Sequence, residues 1–111
     1  MEAKLLSQLK RFRTEKMSKV NIFETTHCFC DIYCFEPGQQ QQLHTHTDAD
    51  KIYFVLEGKG NFQVGDEQTG LGVGYSVLAR AGQPHGVHND SNEQLVLLVF
   101  MAPNPNISAK H

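Results

Sequence analysis

The sequence predicts an all-β protein, a sandwich or barrel of short strands, with one short helix in front of it. Three observations lead to this fold class. Strand-like runs follow one another at short, regular intervals, turn-forming residues separate them, and helical spacing occurs only near the N-terminus. A chain with this rhythm folds as a β-sandwich or a β-barrel.

The helical pattern lies in residues 2–13, where apolar side chains recur every three or four positions. These side chains are Leu5, Leu6, Leu9 and Phe12. Their spacing fits one apolar stripe of an amphipathic helix. Because so short a helix is marginal alone, we expect Leu5, Leu9 and Phe12 to dock on the body of the protein or on a partner. Residues 1–18 are therefore predicted to form an N-terminal helical extension.

Strand-like segments fill the rest of the chain. They are residues 20–25, 27–36, 40–46, 51–57, 61–65, 68–71, 75–80, 85–89 and 94–101. Glycine, proline, asparagine and aspartate cluster between them and indicate tight turns. Residues 19–102 are therefore assigned to a β-barrel. Pro103 and Pro105 cannot continue a hydrogen-bonded ladder, so residues 103–111 are predicted to form a flexible tail.

Two of these segments, Ile52–Leu56 and Leu95–Met101, are apolar at every successive position. Side chains alternate between the two faces of a strand, so neither face of these strands can be freely exposed to water. One face would fill the barrel, and the other would meet a second sheet, the N-terminal helix or another subunit. A chain of 111 residues supplies limited cover, so the pattern predicts a homodimer.

Composition and charge narrow the range of partners. The chain is long enough for one domain, and its formal net charge of −2 argues against strong attraction to nucleic acid or anionic lipid. Six of the ten basic residues nevertheless lie within the first nineteen positions. A solvated helix face explains them better than a polyanion contact, because the segment lacks the aromatic interleaving of a single-strand binder.

The chain is predicted to be cytoplasmic. No apolar run approaches the length of a membrane span, and the first residues do not resemble a signal peptide.

Cys28, Cys30 and Cys34 share one parity along a single predicted strand. Side chains two residues apart on a strand are parallel and at the edge of disulfide geometry. These positions are therefore expected to hold small buried apolar side chains rather than a disulfide or a metal.

Three histidines are the candidate metal ligands of the sequence: His44, His46 and His85. His44 and His46 are two residues apart in a predicted strand, so both imidazoles leave the same face of the sheet. His85 follows a turn-forming cluster and begins a distant strand, from which its ring would complete a facial arrangement. Isolated histidines are more often surface or hydrogen-bonded residues, but this context predicts a site for a divalent transition metal: Zn, Ni, Fe, Mn or Cu.

Two segments around these histidines resemble the cupin family. They are Gly38-x5-His44-x-His46 followed by Tyr53-Phe54-Val55-Leu56-Glu57-Gly58-Lys59-Gly60, and Gly74-x7-Gly82-x2-His85-x3-Asn89. The start of the chain is similar to that of small single-domain bacterial cupins of unsettled function. The resemblance implies a double-stranded β-helix, or jelly roll, with a metal in its mouth and frequent dimerisation. It also implies that His44, His46 and His85 are metal ligands.

The fourth ligand usual in that family, a glutamate of the first motif, is replaced here by Lys51. Three outcomes remain open. The three imidazoles hold the metal alone, or Asp50 supplies a carboxylate where the strand start is bulged, or the Lys51 cation repels a divalent ion and leaves the pocket free of metal. The long Lys51 side chain could also aim its amine at a substrate carboxylate.

Strand alternation predicts the side chains that line the pocket together with the histidines and Lys51: Gln42, Tyr53, Val55 and Val87. Such a pocket would accept a small, partly apolar organic acid or carbonyl compound. One expected function is a metal-dependent dioxygenase or an isomerase, in which the metal acts as a Lewis acid and Lys51 or Tyr53 moves a proton. The alternative is a non-catalytic module that binds a metal or small ligand as a sensor, carrier or accessory subunit.

Overall fold

The computed structural model describes residues 1–108, and its regular structure is almost all antiparallel β-strand. The strands are β1 (Ser18–Glu24), β2 (Phe29–Phe35), β3 (Gln40–His44), β4 (Asp50–Glu57), β5 (Lys59–Val64), β6 (Glu67–Gly72), β7 (Ser76–Ala79), β8 (His85–His88) and β9 (Leu95–Ala102). A single-turn helix, α1 (Pro105–Ser108), follows β9. Within residues 1–108, no helix is long and apolar enough to cross a membrane.

The strands form two sheets that enclose one core. Five strands follow the order β1-β2-β9-β4-β7, and four follow the order β3-β8-β5-β6. Every pairing is antiparallel. This arrangement of two packed sheets is a jelly roll, or double-stranded β-helix. The prediction of an all-β fold of this kind is therefore confirmed.

Large apolar side chains fill the space between the sheets. They are Met17, Tyr33, Phe35, Tyr53, Val55, Phe62, Val87, Leu95, Leu97 and Val99. The opposite face of β9 is covered as well, because Val96 is also fully buried. Each large apolar side chain that is fully buried contributes roughly 1.5–3 kcal/mol to stability. The two-sided apolar pattern of β9 thus holds the sheets together and anchors a second cluster behind them.

The N-terminal segment covers part of the outer face of the five-stranded sheet, but not as an amphipathic helix. Only Leu6–Gln8 form a turn of 3₁₀ helix, so the longer predicted helix is wrong. The segment is too short to be a stable helix by itself, and its apolar side chains reach the sheet from an irregular backbone. Leu6, Leu9 and Phe12 pack there, whereas Leu5, also expected to dock, is 63% exposed.

The residues after β9 differ from the predicted flexible tail. Asn104 is fully buried, and its Nδ2 donates hydrogen bonds to Glu24 Oε2 at 2.8 Å and to the Thr25 carbonyl at 2.9 Å. Its Oδ1 accepts a bond from the backbone N–H of Asn106. These bonds hold α1 against the end of β1. Residues 109–111, which belong to the same predicted tail, lie outside the described residues.

The cysteines carry free thiols. Cys34 is fully buried behind β2, while Cys28 and Cys30 are half-buried. Burial raises the pKa of the Cys34 thiol and that of Cys30. The prediction of small buried apolar side chains therefore holds for Cys34, whereas Cys28 and Cys30 are only half-buried.

Candidate metal centre

Two neighbouring strands bring the three histidines together. β3 pairs with β8, and in their register His44 lies directly opposite His85. His46 follows β3 by two residues, and its ring centroid lies 5.0 Å from that of His44 and 5.6 Å from that of His85. One ligand atom from each residue lies within 4.8 Å of the other two. The three imidazoles therefore converge, as predicted.

This convergence depends on an irregularity in β3. Gln41 pairs with Val87 and His44 pairs with His85, so three steps along β3 match two along β8. The extra residue is a β-bulge. A Cβ atom on Gly86 would lie only 2.9 Å from the Gln41 carbonyl oxygen. Glycine at this position therefore leaves room for the bulged backbone.

Backbone carbonyls orient two of the three rings. His44 Nδ1 lies 2.8 Å from the Gln42 carbonyl oxygen, and His85 Nδ1 lies 2.9 Å from that of Gln83. Because a carbonyl oxygen only accepts, Nδ1 carries the proton in both rings and Nε2 keeps a free lone pair. Among residues 1–108, nothing hydrogen-bonds to the buried His85 Nε2. A divalent metal ion fits this donor set, because it would satisfy that nitrogen.

The three imidazoles favour the neutral form in the folded protein. Burial lowers the pKa of His85 to about 4, although its hydrogen bond to Gln83 acts in the opposite direction. Burial also lowers the pKa of His44 and of His46, and the nearby charge of Lys51 adds to both effects. A metal ion binds unprotonated imidazole nitrogen. At neutral pH the three rings are therefore in the form that coordinates a metal.

Lys51 lies beside this cluster, inside the barrel. It is 1% exposed, and its Nζ donates a hydrogen bond to Gln41 Oε1 at 3.2 Å. The same Nζ lies 5.1 Å from the ring centroid of Tyr33 and 5.1 Å from that of Tyr53. Burial lowers the pKa of the Lys51 amine to about 7. Partial loss of the charge near neutral pH weakens the repulsion expected between Lys51 and a divalent ion.

Gln41 is a central residue of the site that the sequence did not reveal. Its Oε1 also accepts a hydrogen bond from the Tyr53 hydroxyl at 3.0 Å, and its Nε2 donates to the Tyr33 hydroxyl at 3.3 Å. The sequence predicts Gln42 on this inner face, but Gln42 is exposed. The bulge reverses the alternation of the residues before His44. Nothing in the sequence of β3 itself marks the bulge.

Asp50 does not join the histidines. The register between β4 and β9 runs without interruption from Asp50 to Val55, so the ordinary pleat turns Asp50 away from the face of Lys51. The Asp50 Oδ1 atom instead accepts a hydrogen bond from the backbone N–H of Ala81 at 2.8 Å. The bulged strand start that would bring this carboxylate to the metal is therefore not formed.

A cavity of about 370 Å³ opens beside His44, His46 and Lys51. Strands β1 and β2 and helix α1 supply its other walls. Among the described residues, the predicted pocket residues Val55 and Val87 face inward but pack in the core and line no part of this cavity. Both lie deeper along their strands, where aromatic side chains cover them. Strand alternation correctly predicts that both side chains point into the barrel, but it does not predict how far they lie from the cavity.

Comparisons with known proteins agree with this architecture. Residues 31–101 match the family model of the cupin domain. The crystal structure of TT1209 from Thermus thermophilus has a TM-score of 0.92 and 43% sequence identity, covering 95% of this chain and 100% of that chain. An uncharacterized protein of Streptomyces coelicolor is 33% identical over 72 residues, 65% of this chain and 68% of that protein. An oxalate-binding protein of Thermotoga maritima is 28% identical over 65 residues, and the match spans 54% of its length. Because the family match covers well over half of the sequence, this chain belongs to the cupin family.

Proposed function

We propose that the chain holds one divalent transition-metal ion through His44, His46 and His85 and binds a small organic acid or carbonyl compound beside it. The observation that carries this proposal is the buried His85 Nε2, which has no hydrogen-bond partner within residues 1–108, in a residue that offers a ligand atom within 4.8 Å of those of His44 and His46. Imidazole ligands suit Zn, Ni, Fe or Cu. With three protein ligands, coordination positions stay open, and the bound ion would supply Lewis-acid polarisation of a ligand oxygen.

Lys51 is the residue proposed to act on the ligand, because its side chain lines the cavity beside the histidines. As an ammonium it would neutralise a ligand carboxylate, and as a free amine it would accept a proton. A pKa of about 7 makes both forms accessible near neutral pH. The Tyr53 hydroxyl donates to Gln41, and burial raises its pKa well above the usual value. Tyr53 therefore keeps its proton and, through Gln41, positions the Lys51 amine.

These features favour a metal-dependent dioxygenase or an isomerase that acts on a small organic acid or carbonyl compound. Similarity to a protein named as oxalate-binding supports an acidic ligand. The alternative is a non-catalytic module that binds a metal or small ligand as a sensor, carrier or accessory subunit. The hydrogen bond that the Tyr53 hydroxyl donates to Gln41 favours this alternative, because the proton of this phenol is not free to pass to a ligand.

Ligand binding and turnover by the metal-loaded protein separate the two functions. The protein is offered a panel of small keto acids, diketones and thiols, with O₂ uptake, product formation and calorimetric binding measured for each. An enzyme consumes O₂ or converts a compound, and His85→Ala abolishes the conversion. A binding module gives saturable binding without conversion. Fully metallated protein that binds no compound of the panel would contradict the enzyme and the small-ligand module, and would leave a module that binds the metal alone.

We also propose that the protein forms a homodimer through the part of the outer sheet face that the N-terminal segment leaves uncovered. Five neighbouring apolar side chains form this surface, which we call the outer patch: Ile52, Phe54, Leu78, Leu98 and Phe100. Phe54 is 38% exposed and Leu78 is 42% exposed. A second copy packed on the outer patch would remove these side chains from water.

A further inference from the structure

Lys19, a residue of the basic N-terminal segment, belongs to the wall of the cavity beside the histidines. Its backbone pairs with that of Tyr33 across β1 and β2, and its Nζ lies 5.3 Å from the Tyr33 ring centroid. The Lys51 Nζ lies 5.1 Å from the same centroid. Two amines from distant parts of the sequence therefore lie around one phenol ring. The buried Lys51 amine lies on the floor of the cavity, and the exposed Lys19 amine lies at its mouth.

Neither amine is paired with an acid in the part of the chain that the structure describes. Within residues 1–108, the ion pairs join Lys10 to Glu57 and Arg13 to Glu15. Lys51 donates its hydrogen bond to a neutral amide. The side chain of Lys19 is exposed, so it is free to turn towards a ligand in the cavity. Lys19 and the protonated form of Lys51 are thus available to an anion from outside.

Two carboxylates also line the cavity, and protein donors already engage them. Asp31 accepts a hydrogen bond from Asn21 Nδ2 at 2.9 Å. Glu24 accepts one from Asn104 Nδ2 at 2.8 Å. These bonds hold the two carboxylates against the wall of the cavity. The negative groups of the cavity are therefore fixed in place, whereas the amine of Lys19 is not.

The charges of the cavity favour a ligand with two negative groups. The two lysines and the two carboxylates cancel when all four are ionised, and neutral imidazoles add no charge. While Lys51 is protonated, a divalent ion at the histidines would leave an excess of two positive charges, which a dianion would cancel. A neighbouring groove continues this bias, because Arg11, Arg13, Lys16 and Lys19 line it and its field attracts anions towards the mouth.

We propose that Lys19 recognises a second anionic group of the ligand, so that the cavity selects small dicarboxylic acids over monocarboxylic acids of the same length. This inference rests on the proposed function, because the first carboxylate would lie beside the three histidines and Lys51. The second carboxylate extends towards the mouth of the cavity and pairs with the Lys19 amine. The basic N-terminal segment thus contributes to ligand choice rather than to nucleic-acid binding.

Titration calorimetry of the metal-loaded protein tests this inference with two matched pairs of acids, succinate against butyrate and glutarate against pentanoate. At low ionic strength we expect at least one diacid to bind about fivefold more tightly than its partner, which is the strength of a partly exposed ion pair. Lys19→Gln removes this preference, because it weakens diacid binding more than monoacid binding, and it leaves metal content and melting temperature unchanged. Lys19→Arg keeps the preference, and added salt reduces it.

Lys16→Gln is the matched control, because Lys16 lies on the same basic segment but outside the cavity lining. It should keep the diacid preference. Equal affinity of wild type for both members of each pair, or a preference that survives in Lys19→Gln, would overturn the proposed role of Lys19. Either result would leave the proposed acid-binding function intact. Protein with one metal per chain that binds none of the four acids would instead contradict the proposed acid-binding function, and this inference with it.

Discussion

The Lys51 amine donates a hydrogen bond of 3.2 Å to Gln41 Oε1, an atom that also accepts the hydroxyl proton of Tyr53. Lys51 occupies the position at which the resemblance to the cupin motif implies a carboxylate ligand, yet its described partners are neutral: an amide oxygen and the faces of two phenol rings. A buried amine with only neutral partners loses its proton more readily than one in water. Loss of this proton would reduce the repulsion between Lys51 and a metal ion at the histidines. The same hydrogen bonds to Gln41 also contribute to the stability of the barrel.

Loss of Gln41 should destabilise the protein. In Gln41→Ala the Lys51 amine and the Tyr53 hydroxyl lose their shared acceptor, and each unsatisfied buried polar group costs about 1–3 kcal/mol. Urea denaturation measures the change in the free energy of unfolding. Gln42→Ala is the matched control, because Gln42 is exposed and its replacement should change that free energy by no more than about 0.5 kcal/mol. Equal effects of the two substitutions would show that Gln41 does not support the network.

Lys51 should make the stability of the metal-free protein depend on pH. Burial lowers the pKa of its amine from 10.5 to about 7 in the folded state. Between these values the unfolded chain binds one more proton than the folded one, so the contribution of Lys51 to stability rises with pH, by at most about 1.4 kcal/mol per pH unit.

Thiols and phenols titrate in the same range, so the informative quantity is the difference in unfolding free energy between wild type and Lys51→Met. Urea denaturation from about pH 7 to pH 9 measures it. Wild type should gain stability relative to the variant as the pH rises. A difference that stays constant over this range would mean that the Lys51 pKa is not lowered in the folded protein.

Gly86 should be required for both the bulge and the metal centre. In Gly86→Ala the new methyl group would lie 2.9 Å from the Gln41 carbonyl oxygen, so β3 has to shift, at a cost of about 1–3 kcal/mol. The melting temperature and the metal affinity should both decrease, because the strand that shifts, β3, carries His44. Gly70→Ala is the control, since a Cβ atom there meets nothing within 4 Å. Unchanged metal affinity in Gly86→Ala would show that the metal centre does not depend on the bulge.

The homodimer proposal is tested by size-exclusion chromatography with light scattering. Phe54→Asp places a charge in the outer patch and should convert a dimer into a monomer at micromolar concentration, because burying an unpaired carboxylate is unfavourable. Val73→Asp is the control, since Val73 is 64% exposed and lies outside the outer patch. A clean monomer of the wild-type chain at the same concentration would defeat the proposal.

The sequence revealed what depends on local pattern and missed what depends on contacts between distant segments. His44 and His46 lie close together because one residue separates them at the end of β3, and the turn before His85 precedes the start of β8. The position of Gln41 could not be predicted, because the bulge arises where β3 meets Gly86 of β8. Asn104 was equally hidden, since its burial depends on Glu24, eighty residues earlier.

The metal content of the purified protein tests the central claim most directly. After purification without an affinity tag, loading with a transition metal and removal of the excess, elemental analysis should find close to one metal per chain. His46→Ala and His85→Ala should each lose it, while Asp50→Ala and the β8 control His88→Ala, whose ring is exposed, should retain it. Wild type without bound metal after loading, or a full equivalent in His85→Ala, would contradict the three-histidine centre.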